Sequence, residues 1–167
     1  MGRLRVVAVL AASATLPWGA SPLRAQARTL VVPPLLALSL NELDFGTVFP
    51  GIPSTVPVHD PRHAGLFEVQ GPPGASVRVE FVLPPALAGT GGAQLPVSFG
   101  PRDGYADFSR GRPPRGLVFD PHAPVIGTLG PNGELYLRLG GTALPARTQP
   151  GGDYGATIFM TVYDLGI

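Results

Sequence analysis

Apolar and polar residues alternate in short runs along this chain, and the most regular run lies near the C-terminus. Successive side chains of a β-strand point to opposite faces, so Ile158, Met160 and Val162 share one face of a predicted strand. Phe159 and Tyr163 lie on the opposite face, which is therefore also partly apolar. This pattern predicts either an interior strand covered on both sides or a strand whose edge and face a second subunit covers.

The same two-residue period recurs upstream and indicates antiparallel sheets. Val77 and Val79 alternate with Arg78 and Glu80, as in a strand with one buried and one solvated face. The run containing them spans residues 76–83, and similar strands are predicted at 66–70 and 134–139. Less regular strands are predicted at 36–40, 43–48, 54–58, 95–99, 117–119 and 125–129.

Between these runs the sequence predicts loops. Residues 86–94 lack a clear period, and residues 100–116 contain so many glycines and prolines that we expect the least regular structure there. Beyond the N-terminus, no segment has the 3.6-residue period of an amphipathic helix. The predicted fold is therefore all-β, an antiparallel β-sandwich of about seven to nine short strands.

Composition and the N-terminal residues define one exported domain. Residues 1–27 combine a cationic start, an apolar run and an Ala-Gln-Ala site, the layout of a signal peptide cleaved before Arg28. The apolar run is shorter than the roughly 20 residues that span a bilayer. We predict a single β-sandwich domain at 28–167, located in the periplasm, at the cell surface or outside the cell. A hydrophobic content of 44% argues against disorder despite 23 glycines and 21 prolines.

Charge and cysteine content exclude several function classes. All 12 basic residues are arginines; three of them precede residue 28, so nine would face 11 acidic residues in the processed chain. No basic patch for nucleic acid is left, and we predict no nucleic-acid partner and no membrane span. The chain has no cysteine, which rules out disulfides, a lipid-modified cysteine and a thiol nucleophile.

No arrangement of residues predicts catalysis, a cofactor or a metal. His59 and His63 have the spacing of helical metal ligands, but Pro61 lies between them; they and His122 are expected to be loop histidines. No serine lies in a Gly-x-Ser-x-Gly elbow, and no Gly-x-Gly-x-x-Gly loop is present. We therefore predict that the protein is not an enzyme and has no catalytic, cofactor-binding or metal-binding residues.

Aromatic residues offer the strongest candidates for a ligand surface. Tyr105 and Phe108 lie beside Asp103 and Asp107, so these residues could form a small calcium or sugar site, although the Asp-x-Asp-x-Asp-Gly order of a calcium loop is absent. The alternative is a solvated loop whose aromatic rings pack onto the sandwich. Together with Tyr105 and Phe108, the candidate ligand or assembly surface comprises Tyr154, Phe159 and Tyr163.

Four segments carry a family resemblance: LDFGTVFPG at 43–51, FEVQGPPGASVRV at 67–79, LRLGGT at 137–142 and GDYGATIFMTVY at 152–163. In order and spacing they resemble the bacterial secreted family catalogued as the domain of unknown function numbered 4402. They are more distantly similar to spore-coat-U-type and other fimbrial pilin subunits. The resemblance covers roughly residues 38–163.

This resemblance implies an immunoglobulin-like sandwich and partners, either further copies or envelope proteins, that bind through a sheet edge. The chain departs from the pilin relatives because it lacks their common disulfide and because prolines 33 and 34 interrupt its N-terminal run. We expect a secreted, non-enzymatic structural or adhesive surface protein, with a fimbria-like subunit as the specific form. The alternative is a monomeric extracellular module that binds a glycan.

Overall fold

The structure is a computed structural model that describes residues 34–108 and 116–166. The predicted signal peptide at 1–27 lies outside the described residues. Within them the chain is all-β, with one short 3-10 helix at Thr90–Gly92. The thirteen described strands are β1 (Leu36–Asn41), β2 (Ser54–Val56), β3 (Gly65–Gln70), β4 (Ser76–Val82), β5 (Ala86–Gly89), β6 (Gln94–Ser98), β7 (Gly104–Asp107), β8 (Gly116–Phe119), β9 (Val125–Thr128), β10 (Glu134–Leu139), β11 (Gly141–Ala143), β12 (Tyr154–Gly155) and β13 (Phe159–Gly166).

These strands form three sheets in which every pair is antiparallel. The first sheet has the order β1-β3-β10-β7-β8, the second β13-β4-β9, and the third β12-β5-β6-β11-β2. In the first sheet Leu137 lies opposite both Phe67 of β3 and Ala106 of β7. All three are buried, which fixes the register, because a slip by one residue would move them to the solvated face.

The main core lies between the first and second sheets. Leu135, Leu137 and Leu139 of β10 face Val77 and Val79 of β4, and all five are fully buried. Burying each such side chain stabilises the fold by about 1.5–3 kcal/mol. This sheet-on-sheet packing confirms the predicted all-β sandwich class.

A smaller core lies on the third sheet and is joined to the main one. It is built from Leu95, Val97, Phe99 and Ala143, and Leu83 and Ile158 pack against both cores. At Gly140 the chain passes from β10 in the first sheet to β11 in the third. A Cβ atom there would lie 2.4 Å from the Val56 carbonyl oxygen, so only glycine fits at this crossing.

The strands predicted at 66–70, 76–83 and 134–139 are confirmed as β3, β4 and β10. The strand predicted at 43–48 is wrong, because Asp44 directs its side chain to the local backbone. Its Oδ1 accepts the Gly46 N–H at 2.8 Å, and Gly46 adopts a φ of 63°. Such a side-chain turn with a left-handed glycine competes with a strand.

Two predicted loops contain strands instead. Residues 86–94 contain β5, and the segment expected to be least regular contains β7, which lies between β10 and β8. Thirteen described strands therefore exceed the predicted seven to nine. The last strand, β13, pairs with β4 and with no other described strand, and Phe159 and Tyr163 on its outer face are exposed, so within the described residues it is an edge strand and not the interior strand considered for it.

Candidate functional site

The second sheet exposes an apolar surface on the side opposite the core. Four large side chains share it, and we call them the outer apolar face: Val82, Ile126, Phe159 and Tyr163, with exposed fractions of 64%, 65%, 62% and 43%. Phe159 lies opposite Val82 across the β13–β4 pair. Several large exposed apolar side chains on one sheet face are typical of an interaction surface.

A charged pair crosses the middle of the outer apolar face. Arg78 of β4 lies opposite both Tyr163 of β13 and Ile126 of β9. Its guanidinium carbon is 4.9 Å from the centroid of the Tyr163 ring, and its Nη2 forms an ion pair with Glu80. Cation–π contact at an exposed position contributes about 0.5–1 kcal/mol. Arg78 therefore restrains the tyrosine ring against the sheet.

The edge of the second sheet that β13 forms is exposed, like the outer apolar face. β13 contains eight residues, and no other described strand besides β4 pairs with it. It contains neither lysine nor proline, the residues that commonly block strand addition at an edge, and Asp164 is its only charged residue. Leu165, near its end, is 51% exposed. Nothing in residues 34–108 and 116–166 therefore blocks strand pairing at this edge.

A wide groove lies beside the start of this strand. Its volume is about 1470 Å³, and Phe45, Leu87, Leu95, Tyr154 and Ile158 are among its lining residues. Four of the five pack onto the smaller core as partly buried side chains, and Leu95 belongs to that core. The groove is thus an open extension of the smaller core toward solvent.

Of the five aromatic residues predicted to form a ligand or assembly surface, the structure brings Phe159 and Tyr163 together. Tyr105 is not in a loop; it is a buried residue of β7, and its ring contacts His59 edge-on at 4.8 Å between centroids. Phe108 packs against the main core, where its ring occupies the space over a glycine of β9. These two rings serve the packing of the sandwich.

Tyr154 is also engaged within the fold. Its ring lies over Gly89 of β5, where an added Cβ would approach a ring carbon to 2.6 Å. Its hydroxyl donates to the Pro150 carbonyl at 2.6 Å and accepts from Gln149 Nε2 at 2.8 Å. Tyr154 thereby holds the loop before β12 against the third sheet.

The three histidines lie in separate environments. His59 contacts Tyr105, His63 Nδ1 lies 2.9 Å from Asp60 Oδ2, and His122 Nε2 lies 3.1 Å from the Phe99 carbonyl oxygen. Hydrogen bonds from the Arg62 backbone N–H and the His63 side chain lower the pKa of Asp60. In the described parts of the chain no three acidic or histidine side chains form a group that could hold a metal.

Asp103, which the sequence placed in a possible calcium or sugar site, has a local role. Its side chain accepts the Gly100 N–H at 2.7 Å, which closes the turn before β7.

A polar cluster that the sequence did not predict lies on the face of the first sheet that points away from the main core, and Glu68 within it is buried. The Tyr136 hydroxyl is 3.0 Å from Glu68 Oε1 and 3.1 Å from Glu134 Oε2, and Gln70 Nε2 donates to the same Glu68 oxygen at 2.9 Å. Burial, followed by the bonds to Glu68 and Glu134, raises the pKa of Tyr136 to about 12. The alternation of side chains along β3 and β10 predicts that each residue of this cluster faces solvent. Only the register of the β3–β10 pair brings these residues together.

No protein-family model, curated protein or solved structure matches this chain. The resemblance to the secreted family and to the pilin subunits therefore stays a prediction. Within residues 34–108 and 116–166, no helix is long and apolar enough to cross a membrane.

Proposed function

We propose that this protein is an exported, non-enzymatic structural or adhesive component of a bacterial surface that assembles through a sheet edge. The observation that carries the proposal is β13, an eight-residue strand that pairs only with β4 among the described strands and borders an exposed apolar face. An unpaired edge offers a row of backbone donors and acceptors to a strand of another chain.

The sequence supports the same role. A signal-like N-terminus at 1–27 favours export to the periplasm, the surface or the medium. The four segments that resemble the secreted family and the pilin subunits favour an immunoglobulin-like sandwich with a fimbria-like role. The last of these segments contains the start of β13, the strand whose edge carries the proposal.

The experiment is to express the full chain with its genomic neighbours and to examine the exported product by electrophoresis with and without heating. We expect oligomer ladders that collapse to monomer on boiling, because assembly through strands is held by non-covalent contacts. A strictly monomeric product under these conditions would remove the assembly role. A chaperone and an outer-membrane usher encoded beside the gene would specifically favour the fimbria-like form.

A monomeric glycan-binding module is the second candidate. Phe159 and Tyr163 expose aromatic rings on one sheet face, and the charged pair Arg78–Glu80 lies alongside them on β4. Exposed aromatic rings beside polar groups suit the stacking of sugar rings. Binding on a glycan array that disappears in both Phe159→Ala and Tyr163→Ala, but persists in Ile126→Ala, would support this candidate.

A further inference from the structure

We propose that two copies of this chain pair through β13 in an antiparallel arrangement whose two-fold axis passes through Thr161. This pairing joins two second sheets into one continuous six-stranded sheet. The inference rests on the proposed function and deepens it, because it names a second copy as the partner of the β13 edge; such a symmetric pair is closed, so longer assemblies need a further sheet edge. Its starting point is that β13 uses only one of its two edges among the described strands.

The alternation of β13 restricts the registers that symmetric pairing allows. Residues directly opposite each other in an antiparallel pair project to the same face of the sheet. A core-facing residue must therefore oppose a core-facing residue of the second copy, and the axis must pass through a residue. An axis at Thr161 places Phe159 opposite Tyr163 of the second copy, and Met160 opposite Val162.

This register makes the outer apolar face continuous across the two copies. Within one copy, Val82 lies beside Phe159, and Tyr163 lies beside Arg78, which lies beside Ile126. Pairing at Thr161 then creates a row that runs from Val82 and Phe159 of one copy to Tyr163, Arg78 and Ile126 of the other. The two-fold axis generates a second such row, so all four exposed apolar residues of each copy take part.

The neighbouring registers lose these matches. An axis at Val162 sets Tyr163 opposite Thr161 and Phe159 opposite Leu165, so neither ring meets an aromatic partner. An axis at Met160 sets Phe159 opposite Thr161 and leaves Tyr163 without an aromatic partner. With the axis at Thr161 the two Asp164 carboxylates lie six residues apart along the pair, at about 20 Å, and do not repel at contact.

The chain has no cysteine of its own, so cysteines introduced by substitution can report the register through the disulfides that they form. Directly opposed Cα atoms lie about 4.5–5.5 Å apart, within the range that a disulfide spans. Thr161→Cys should therefore cross-link the two copies rapidly under mild oxidation. Phe159→Cys alone should not, because the two cysteines would be about 13 Å apart. The double variant Phe159→Cys/Tyr163→Cys should cross-link again.

The matched control is Thr128→Cys, which places another exposed cysteine on β9, at the other edge of the same sheet.

Full-length protein is expressed, and the purified product is oxidised and analysed by non-reducing electrophoresis and sedimentation. Before oxidation, the unsubstituted chain should sediment as a concentration-dependent dimer. Thr161→Lys should weaken that dimer at least about tenfold by opposing two ammonium groups, whereas Thr128→Lys should not.

Three results would overturn the inference. One is a monomer at every concentration with no Thr161→Cys cross-link. Another is Phe159→Cys cross-linking as fast as Thr161→Cys, which would mean a different register. The third is a dimer unaffected by Thr161→Lys, which would mean another surface or a strand from elsewhere in the chain. Heat-sensitive ladders that persist in Thr161→Lys would leave the proposed surface role standing while this interface fails.

Discussion

Replacing Gly104 with alanine should destabilise the protein through a single contact. Gly104 lies opposite Phe119 in the β7–β8 pair, and the phenyl ring occupies the space over the glycine. An added Cβ would lie 2.5 Å from one ring carbon and 2.7 Å from two others, and both residues are buried. The ring must therefore move out of its packed position in the main core.

The magnitude follows from two opposing terms. Overpacking a filled core costs about 1–3 kcal/mol. Gly104 does not have a positive φ, so alanine fits its backbone and reduces the entropy of the unfolded chain, which stabilises by about 0.4–1 kcal/mol. The steric term is larger, and we expect a net loss of about 1–2 kcal/mol in the free energy of unfolding, measured by urea denaturation at constant m-value.

A double-mutant cycle isolates the ring contact. In a Phe119→Leu background the side chain is smaller, so Gly104→Ala should be neutral or slightly stabilising, with a coupling energy of about 1–2 kcal/mol. Gly155→Ala is the matched control, because nothing lies within 4 Å of its Cβ position. It should change stability by no more than about 0.5 kcal/mol. If Gly104→Ala caused the same loss with and without the Phe119→Leu substitution, the reasoning would be refuted.

Three further predictions concern other parts of the sandwich. Leu137→Ala empties a fully buried site in β10 and should cost about 2–5 kcal/mol in a urea titration; a loss under about 1 kcal/mol would contradict the described core. Phe45→Ala should cost less, about 2 kcal/mol, because this ring is only partly buried against the smaller core. Spectrophotometric titration should show one tyrosine with a pKa of about 12, and Tyr136→Phe should remove that step. Since the folded pKa exceeds the ordinary value of 10.0, stability from this group is present below pH 10 and is lost as pH rises toward 12.

Strands with strict alternation could be predicted from the sequence, because burial of one face leaves a local signal. Val77, Val79, Leu135 and Leu137 carried that signal, and all are fully buried. The strand β7 could not be predicted in the same way. Gly104 reads as a turn residue along the chain, whereas its role is to leave space for a ring on the neighbouring strand.

The candidate site was predictable only in part, for a similar reason. Phe159 and Tyr163 share a face because they are four residues apart on one strand, which the sequence shows. Their partners Val82, Arg78 and Ile126 come from β4 and β9, and only the pairing registers bring them alongside. Tyr105 resembled a loop residue because glycine and proline surround it, yet pairing with β8 and β10 makes it part of a sheet.

The crossing at Gly140 has a mechanical consequence for a protein proposed to act outside the cell. The backbone runs without a loop from β10, in the centre of the first sheet, into β11, between β6 and β2 of the third. Tension applied to the third sheet therefore reaches the main core through covalent bonds rather than through side-chain contacts alone. A pull on the third sheet is thus transmitted to the central strand of the first sheet and not to one of its edge strands.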